Sequence, residues 1–563
     1  MFLTKLSLKF ILSLVFVTII FSTLKAKDVD KFNNGMKASG YFSGILLLND
    51  NNYSKSYNFF KKLDGLEEVY PEFSKKYLYS SVILGKINEA FKYSKTLEKK
   101  GLDNFESNLI IGVYHLKNKN YDLAEDYFSK IRNSSNSTLK IFLSSSLQNW
   151  SSINNLNLKE AEDNINKIDD RFKNLKTVQK AFLYCFFKDK KTENFFKKLS
   201  FDKSVDYSRY DYFYSNYLIN SGKILEGNKI LDSSAKKNPR NLLINQFKID
   251  LKNKTNQNIF DCRNNKHIIA EIFYITANAL SSQEAYLFSN FYISLAKHLN
   301  KKFYSFDTLL AENYFKTENL QEAKKIYFRL GKYGEAYSWY SAKQISRIFI
   351  KQNKKNKDIE NLNLSYKKLS HKNIYDIFDY AEFLKNNEKF KNSIKYYSEV
   401  LEIINKDHPL YSEIKDGRGV SYERIGEWNK AEKDLLSSLE VNPDQAYVIN
   451  YLAYSWIEKN IKVEESLKML EKANKLKAND PYIIDSLGWA LFKLEKFKAS
   501  KNYLRLAVQL MPADPVVNDH YGDALWKNGH KIQARYYWKY VLKLKEAEDS
   551  LKETIKIKLI SGL

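Results

Sequence analysis

Few side chains in this sequence have the type and spacing that chemistry requires. His520 and His530 stand ten residues apart, flanking a helix and its turn. A metal centre draws on such imidazoles, but three or four convergent ligands are needed and no further histidine or cysteine lies nearby. Cys185 and Cys262 stand alone, and neither belongs to a CxxC pair. Zinc binding and thioredoxin-type redox chemistry therefore have no support. Cys185 sits in the aromatic run AFLYCFF and reads as a buried thiol, while a Cys185–Cys262 disulfide stays open if the chain meets an oxidising compartment. There is no HExxH, GxSxG, Walker loop or GxGxxG. The expectation is a protein that is not an enzyme and carries no cofactor, no metal and no small-molecule substrate.

The elements that position these residues are helices on a fixed period. DSLGWALFKLEKF, residues 485–497, has helical apolar spacing yet holds Gly488 at its centre, where glycine costs roughly 0.5–1 kcal/mol relative to alanine. Small residues recur about 34 residues apart at Gly419, Ala453, Gly488 and Gly522. A second set follows within each unit at Ala431, Ser466, Ser500 and Ala534, and a third at Ser438, Ala473, Ala507 and Val541. Gly44 and Gly112 share the frame with Leu78 between them, as do Ala277 with Ala311, and Ala381. Two antiparallel helices of about a dozen residues approach closely only where one presents a small side chain at the crossing. Gly44, Gly112, Ala277, Ala311, Ala381, Gly419, Ala431, Ala453, Ala473, Gly488, Ala507, Gly522 and Ala534 are thus expected to pack the repeats.

Proline agrees with this frame. Pro239, Pro443 and Pro512 follow second helices, Pro71, Pro481 and Pro515 open first helices, and Pro409 lies in a connection. None falls in a helix interior, where it costs about 3 kcal/mol.

The period, the aromatic residues Tyr422, Trp428 and Phe497, and the unit-ending proline resemble the tetratricopeptide repeat (TPR) family. The resemblance implies an all-α fold, a TPR-type α-solenoid formed as a right-handed superhelix of antiparallel helix pairs. The expected organisation is a signal peptide at 1–26, TPR-like repeats at 27–130, degenerate helical repeats at 131–270 and middle repeats at 271–350. An insertion or linker follows at 351–370, then well-formed repeats at 371–545 and a capping helix or tail at 546–563.

In TPR proteins the second, fifth, ninth, twelfth and thirteenth positions of each repeat face a concave groove. On the last units these include Tyr447, Asn450, Tyr454, Tyr482, Asp485, Trp489, Phe492, Asp519, Asp523, Trp526 and Lys527. The resemblance implies a partner-binding groove of aromatic residues and carboxylates, with Trp489 and Trp526 open to a second reading as packing between units. The Lys/Asn/Arg clamp of chaperone-binding TPR domains is absent at Asp485, Trp489, Asp519 and Asp523.

The phrases DQAYVINYLAYSWIEKN, IIDSLGWALFKLEKF and VVNDHYGDALWKNGHKIQARYYW look like those of exported TPR proteins of Gram-negative bacteria, especially alphaproteobacteria. Lys5 and Lys9 precede the apolar run Phe10 to Phe21, and Ala26 offers a small residue for cleavage. An uncleaved anchor is the alternative. The chain is also similar in plan to TPR adaptors serving periplasmic proteases or cell-wall hydrolases, although those are typically lipoproteins and no lipid-attachment cysteine is present near residue 26. The expected location is the periplasm or envelope, and the expected partners are envelope proteins.

Lys plus Arg number 91 and Asp plus Glu 66, a net +25. The basic residues are spread over helix faces rather than gathered into a nucleic-acid arm, so nucleic acid is not expected. The charge leaves a second reading, peripheral contact with an anionic envelope polymer such as peptidoglycan or lipopolysaccharide.

Overall fold

A computed structural model describes residues 35–563 except 64, 134–136, 202–207, 256–257 and 353–354. The signal-peptide reading at 1–26 lies outside the described residues. Among those described, every regular element is a helix, and none is long and apolar enough to cross a membrane. The chain divides into two compact units, one up to Leu369 and one from Ser370 to Leu563.

Within both units, successive helices pair antiparallel: Phe105–Lys117 with Tyr121–Asn133, Tyr411–Arg424 with Trp428–Val441, Pro481–Lys493 with Phe497–Leu510. Pro481 and Pro515 occupy first-turn positions, where proline's missing N–H leaves no hydrogen bond unmade.

The small residues do what their spacing predicts, through a constant offset. A Cβ added to Gly44 would run into Phe60, to Gly112 into Phe128, to Gly419 into Leu435, to Gly488 into Leu504 and to Gly522 into Trp538. Each obstacle lies sixteen residues on, in the second helix of the same pair. At Gly488 the added atom would sit 2.6 Å from Leu504 Cγ. The alanines Ala277, Ala311, Ala381, Ala431, Ala453, Ala473, Ala507 and Ala534 are completely buried. Leu78 is the exception that completes the rule. It is large where the others are small, and the residue sixteen on is Ser94, small and equally buried.

In the unit up to Leu369 the array does more than stack on its sequence neighbours. Glu72–Ile83 packs on Tyr286–Leu299, and Thr138–Ser151 packs on Asn265–Ser282. Asn290 Nδ2 donates to Tyr53 Oη at 3.0 Å, and Lys117 Nζ donates to the Leu299 carbonyl at 3.0 Å. One hydrophobic core runs from Tyr41 to Phe349. A strictly one-dimensional solenoid has no such contacts, so this unit departs from that expectation: its repeats close on one another. Within 131–270, where the small residues drift, Thr138–Ser151 and Leu242–Lys252 pack on helices distant in sequence as well as on their neighbours.

Leu242–Lys252 breaks the pairing. Among the described residues no second helix follows it before Asn265–Ser282, and it packs instead against Ser208–Asn220 and Glu335–Lys351. The connecting segment carries Cys262, which forms a disulfide with Cys185 with Cα atoms 6.0 Å apart. The reading of Cys185 as a free thiol is thereby corrected: its aromatic surroundings bury it, but the frame break brings Cys262 alongside. The 351–370 stretch, read as an insertion, contains the helix Lys355–Lys367 paired with Glu335–Lys351. Its polar composition hid a helix whose Leu362 and Tyr366 are buried.

Two outcomes follow for stability. Gly488→Ala, normally favourable in a helix, destabilises the Ser370–Leu563 unit by about 1–3 kcal/mol in urea unfolding because Leu504 cannot retreat freely. In a Leu504→Ala background the same change becomes neutral or stabilising, and additive effects would disprove the crossing. Reduction of the disulfide, which closes a separation of 77 residues, lowers stability of the first unit by about 4 kcal/mol, read as an earlier urea midpoint that Cys185→Ser/Cys262→Ser reproduces.

Candidate functional site

The groove residues lie on the first helices Ala446–Glu458, Pro481–Lys493 and Pro515–Lys527. Asp480 caps the second of these by accepting from the amides of Tyr482 and Ile483, and Asp514 caps the third through Val516 and Val517. The caps fix the entry of each helix and so the direction of its first-turn side chains.

Three equivalent first-turn positions are open. Tyr447 is 53% exposed, Tyr482 57% and Val516 42%. Lys527 is also exposed, and Asn450, Tyr454, Phe492 and Trp526 are half-buried. Asp485, Trp489, Asp519 and Asp523 are buried. The predicted groove therefore splits into an exposed aromatic edge and a closed floor.

The floor is closed because each repeat bonds to the next. Tyr447 Oη donates to Asp480 Oδ2 at 3.0 Å. Trp489 Nε1 donates to Glu458 Oε1 at 2.7 Å. Asp485 pairs with His520 Nδ1 at 2.9 Å, and Trp489 stacks on that imidazole with ring centres 4.0 Å apart. Trp489 is thus packing between units rather than open surface. Beyond Pro515–Lys527 the helix Asp549–Ser561 supplies the next partner. Lys558 Nζ donates to Asp519 at 2.7 Å and to Asp523 at 2.8 Å, and Gly562 lies against the Trp526 ring. Trp538 Nε1 completes Asp523 with a third bond at 3.0 Å.

These charges shift one another. Burial pushes His520 down, but the Asp485 carboxylate, with Asp519 and Asp523 behind it, holds its pKa above the ordinary value. Burial and the Asp519 charge push Asp523 up to about 6, against the pull of Lys558. Burial lowers Lys558, but the two aspartates outweigh it and hold the ammonium charged. Burial pushes Tyr454 upward, with Glu458 and Asp485 adding to the rise.

His530 is separated from this cluster in its bonding and sits 3.1 Å from Lys501 Nζ. Among the described residues no group of three or more His, Cys, Asp or Glu side chains is placed to hold a metal ion. The carboxylates of the floor are committed to internal donors.

Sequence reasoning missed four members. Val516 occupies the same second position as Tyr447 and Tyr482 and was findable by the rule that selected them. Glu458 occupies a thirteenth position and was findable by the same rule that selected Lys527. His520, noticed only for metal binding, is the partner of a groove aspartate. Lys558 lies beyond the repeat frame, so no periodic signal marks it.

Antiparallel pairs on a 34- or 35-residue period, with small residues at the crossings and groove residues bonded repeat to repeat, define a TPR-type α-solenoid. The particular relatives are partial. A TPR repeat-containing protein of Pseudomonas aeruginosa is 31% identical over 143 residues, 25% of this chain and 23% of that protein, so the match spans less than a quarter of the relative's length. A tetratricopeptide repeat protein from Parabacteroides merdae is 16% identical, with 39% of this chain and 86% of that one covered at a TM-score of 0.32. PilF of Pseudomonas aeruginosa is 18% identical over 33% of this chain and 85% of its own, TM-score 0.29. MamA from Desulfovibrio magneticus is 15% identical over 31% of this chain and 97% of its own, TM-score 0.27. No family model matches the chain.

The cluster sets a pH dependence. A histidine whose folded pKa is raised stabilises fully below its unfolded value near 6.5, and that stability is lost as pH rises through the folded value. Asp523, raised from 3.8 to about 6, acts with the same sign: its contribution is present below 3.8 and lost as pH climbs through about 6. Urea melts of the Ser370–Leu563 unit should therefore weaken from pH 5 to pH 9, and His520→Gln should flatten the part above about 6.5. Equal slopes in both proteins would refute the assignment.

Proposed function

We propose that the chain is a non-catalytic scaffold that binds a protein segment along the exposed edge of the C-terminal groove, in the periplasm or at the cell envelope. The observation that carries this reading is the row Tyr447, Tyr482 and Val516, apolar and exposed at equivalent positions of three successive repeats. A solitary exposed apolar side chain is ordinary, but a periodic row on a rigid array is a binding edge. Tyrosine is enriched where interfaces concentrate their energy, and the Tyr447 ring already lies 4.0 Å from the Lys477 ammonium, which holds it in place. The relative in Pseudomonas aeruginosa is itself a TPR repeat-containing protein.

Two observations support export. The 1–26 segment has the composition of a signal peptide. The Cys185–Cys262 disulfide suits an oxidising compartment, since disulfides are rare where thiols are kept reduced.

The test uses the intact chain, crosslinked in cells. Tyr447→Ala/Tyr482→Ala should reduce capture of an envelope protein at least tenfold while leaving urea unfolding unchanged, and capture by the wild type should survive 0.5 M salt. Capture unchanged by the double substitution but lost in salt would move the function to the +25 charge and an anionic polymer. Trp489→Ala is unsuited to this test, because removing a buried tryptophan costs about 3–5 kcal/mol of stability.

A further inference from the structure

The break in pairing at Leu242–Lys252 leaves a cavity of ≈ 320 Å³ between that helix and the segment 332–337. Among the described residues no second helix fills the space, and the walls are unusual for a packing fault. Tyr304 and Tyr333 stack at 3.7 Å along one side, with Tyr337 and Phe247 also in the lining. Tyr212, 1% exposed, also lines the cavity, and its hydroxyl is buried without a hydrogen-bond partner. A hydroxyl in that state costs free energy unless a ligand completes it.

The polar end of the cavity is Asp250. Its carboxylate accepts from Gln246 Nε2 at 2.8 Å. Gln246 is itself fixed, because its Oε1 accepts from the Ala336 amide at 3.0 Å. Gly334 makes room for this amide: its φ is +151°, and a Cβ there would collide with the Gln246 side chain. A glutamine locked from both ends therefore aims a carboxylate into an aromatic cavity. Burial pushes the Asp250 carboxyl upward, against the hydrogen bond from Gln246. Lys332 and Glu335 also line the cavity, so Asp250 leaves its charge balance negative.

We propose that this cavity is a binding site for an organic cation of side-chain size, an ammonium or guanidinium paired with Asp250, bonded to Tyr212 Oη and faced by the tyrosine rings. Aromatic faces attract cations through their quadrupole, and most strongly where water is excluded. The volume is at the lower end for ligand pockets and suits one side chain or a short diamine rather than a nucleotide. The site is independent of the C-terminal groove and stands or falls without it.

Calorimetric titration of the intact, oxidised chain tests it with three probes: acetyl-Gly-Arg-Gly-amide, the same peptide with neutral citrulline, and cadaverine. The arginine peptide or cadaverine should bind at least tenfold more tightly than the citrulline peptide. Preference for the arginine peptide assigns the cation to a protein partner, and preference for cadaverine assigns it to a free amine. Asp250→Asn should weaken the bound cation at least tenfold, and Tyr212→Phe about threefold, with circular dichroism unchanged. If Asp250→Asn does not fold, discrimination between arginine and citrulline and the Tyr212→Phe loss decide the matter. Binding of neither cation, equal binding of arginine and citrulline, or full affinity in folded Asp250→Asn overturns the proposal.

Discussion

The repeats of this chain depend on two backbones coming close enough to exclude water between them. At the glycine crossings that closeness is set where a residue of the first helix gives way to the residue sixteen places on. Gly488 yields to Leu504, Gly522 to Trp538 and Gly44 to Phe60. The local penalty of glycine in a helix, roughly 0.5–1 kcal/mol, is small beside the burial of a leucine or aromatic side chain, about 1.5–3 kcal/mol. Once the crossing is fixed, the angle of each pair and the position of the next repeat follow from it.

On this frame the two units use their interiors differently. The Ser370–Leu563 unit links repeat to repeat with single polar bonds, Glu458 to Trp489, Asp485 to His520, and Asp519 to Lys558. Each link joins a carboxylate on one first helix to a donor on the next first helix or, for Asp519, on the C-terminal helix Asp549–Ser561. The floor of the groove is thereby rigid, and Tyr447 and Tyr482 stand on it with little freedom to lose on binding. The unit up to Leu369 instead joins distant repeats, and at the unpaired helix Leu242–Lys252 the regularity gives way to a disulfide and a cavity.

The repeat frame was legible in the sequence because its cause is local. Small residues at Gly419, Ala453, Gly488 and Gly522, and prolines only at helix boundaries, follow from contacts inside one 34-residue unit. The exposed Tyr447 and Tyr482 were legible for the same reason. The buried state of Asp485, Asp519 and Asp523 was not, since it depends on donors that the groove rule does not track. His520 lies one place from a groove position, and Lys558 lies outside the frame altogether. The union of Cys185 with Cys262 and the closure of the first unit were invisible too, because they join residues whose separation has no period. A polar run such as 351–370 misleads in another way: among the described side chains its helix is marked by buried Leu362 and Tyr366, too few to show a period.

Leu78 and Ser94 show what the crossing rule means for descent. At this pair the bulk sits on the first helix and the small residue on the second, the reverse of Gly112 and Phe128 in the neighbouring repeat. Either arrangement fills the same space, but no single substitution leads from one to the other without passing through a clash or a void. The two positions therefore change together or not at all. A whole helix pair can be duplicated, deleted or traded between repeats, whereas an exchange of one helix alone joins two halves cut to different patterns.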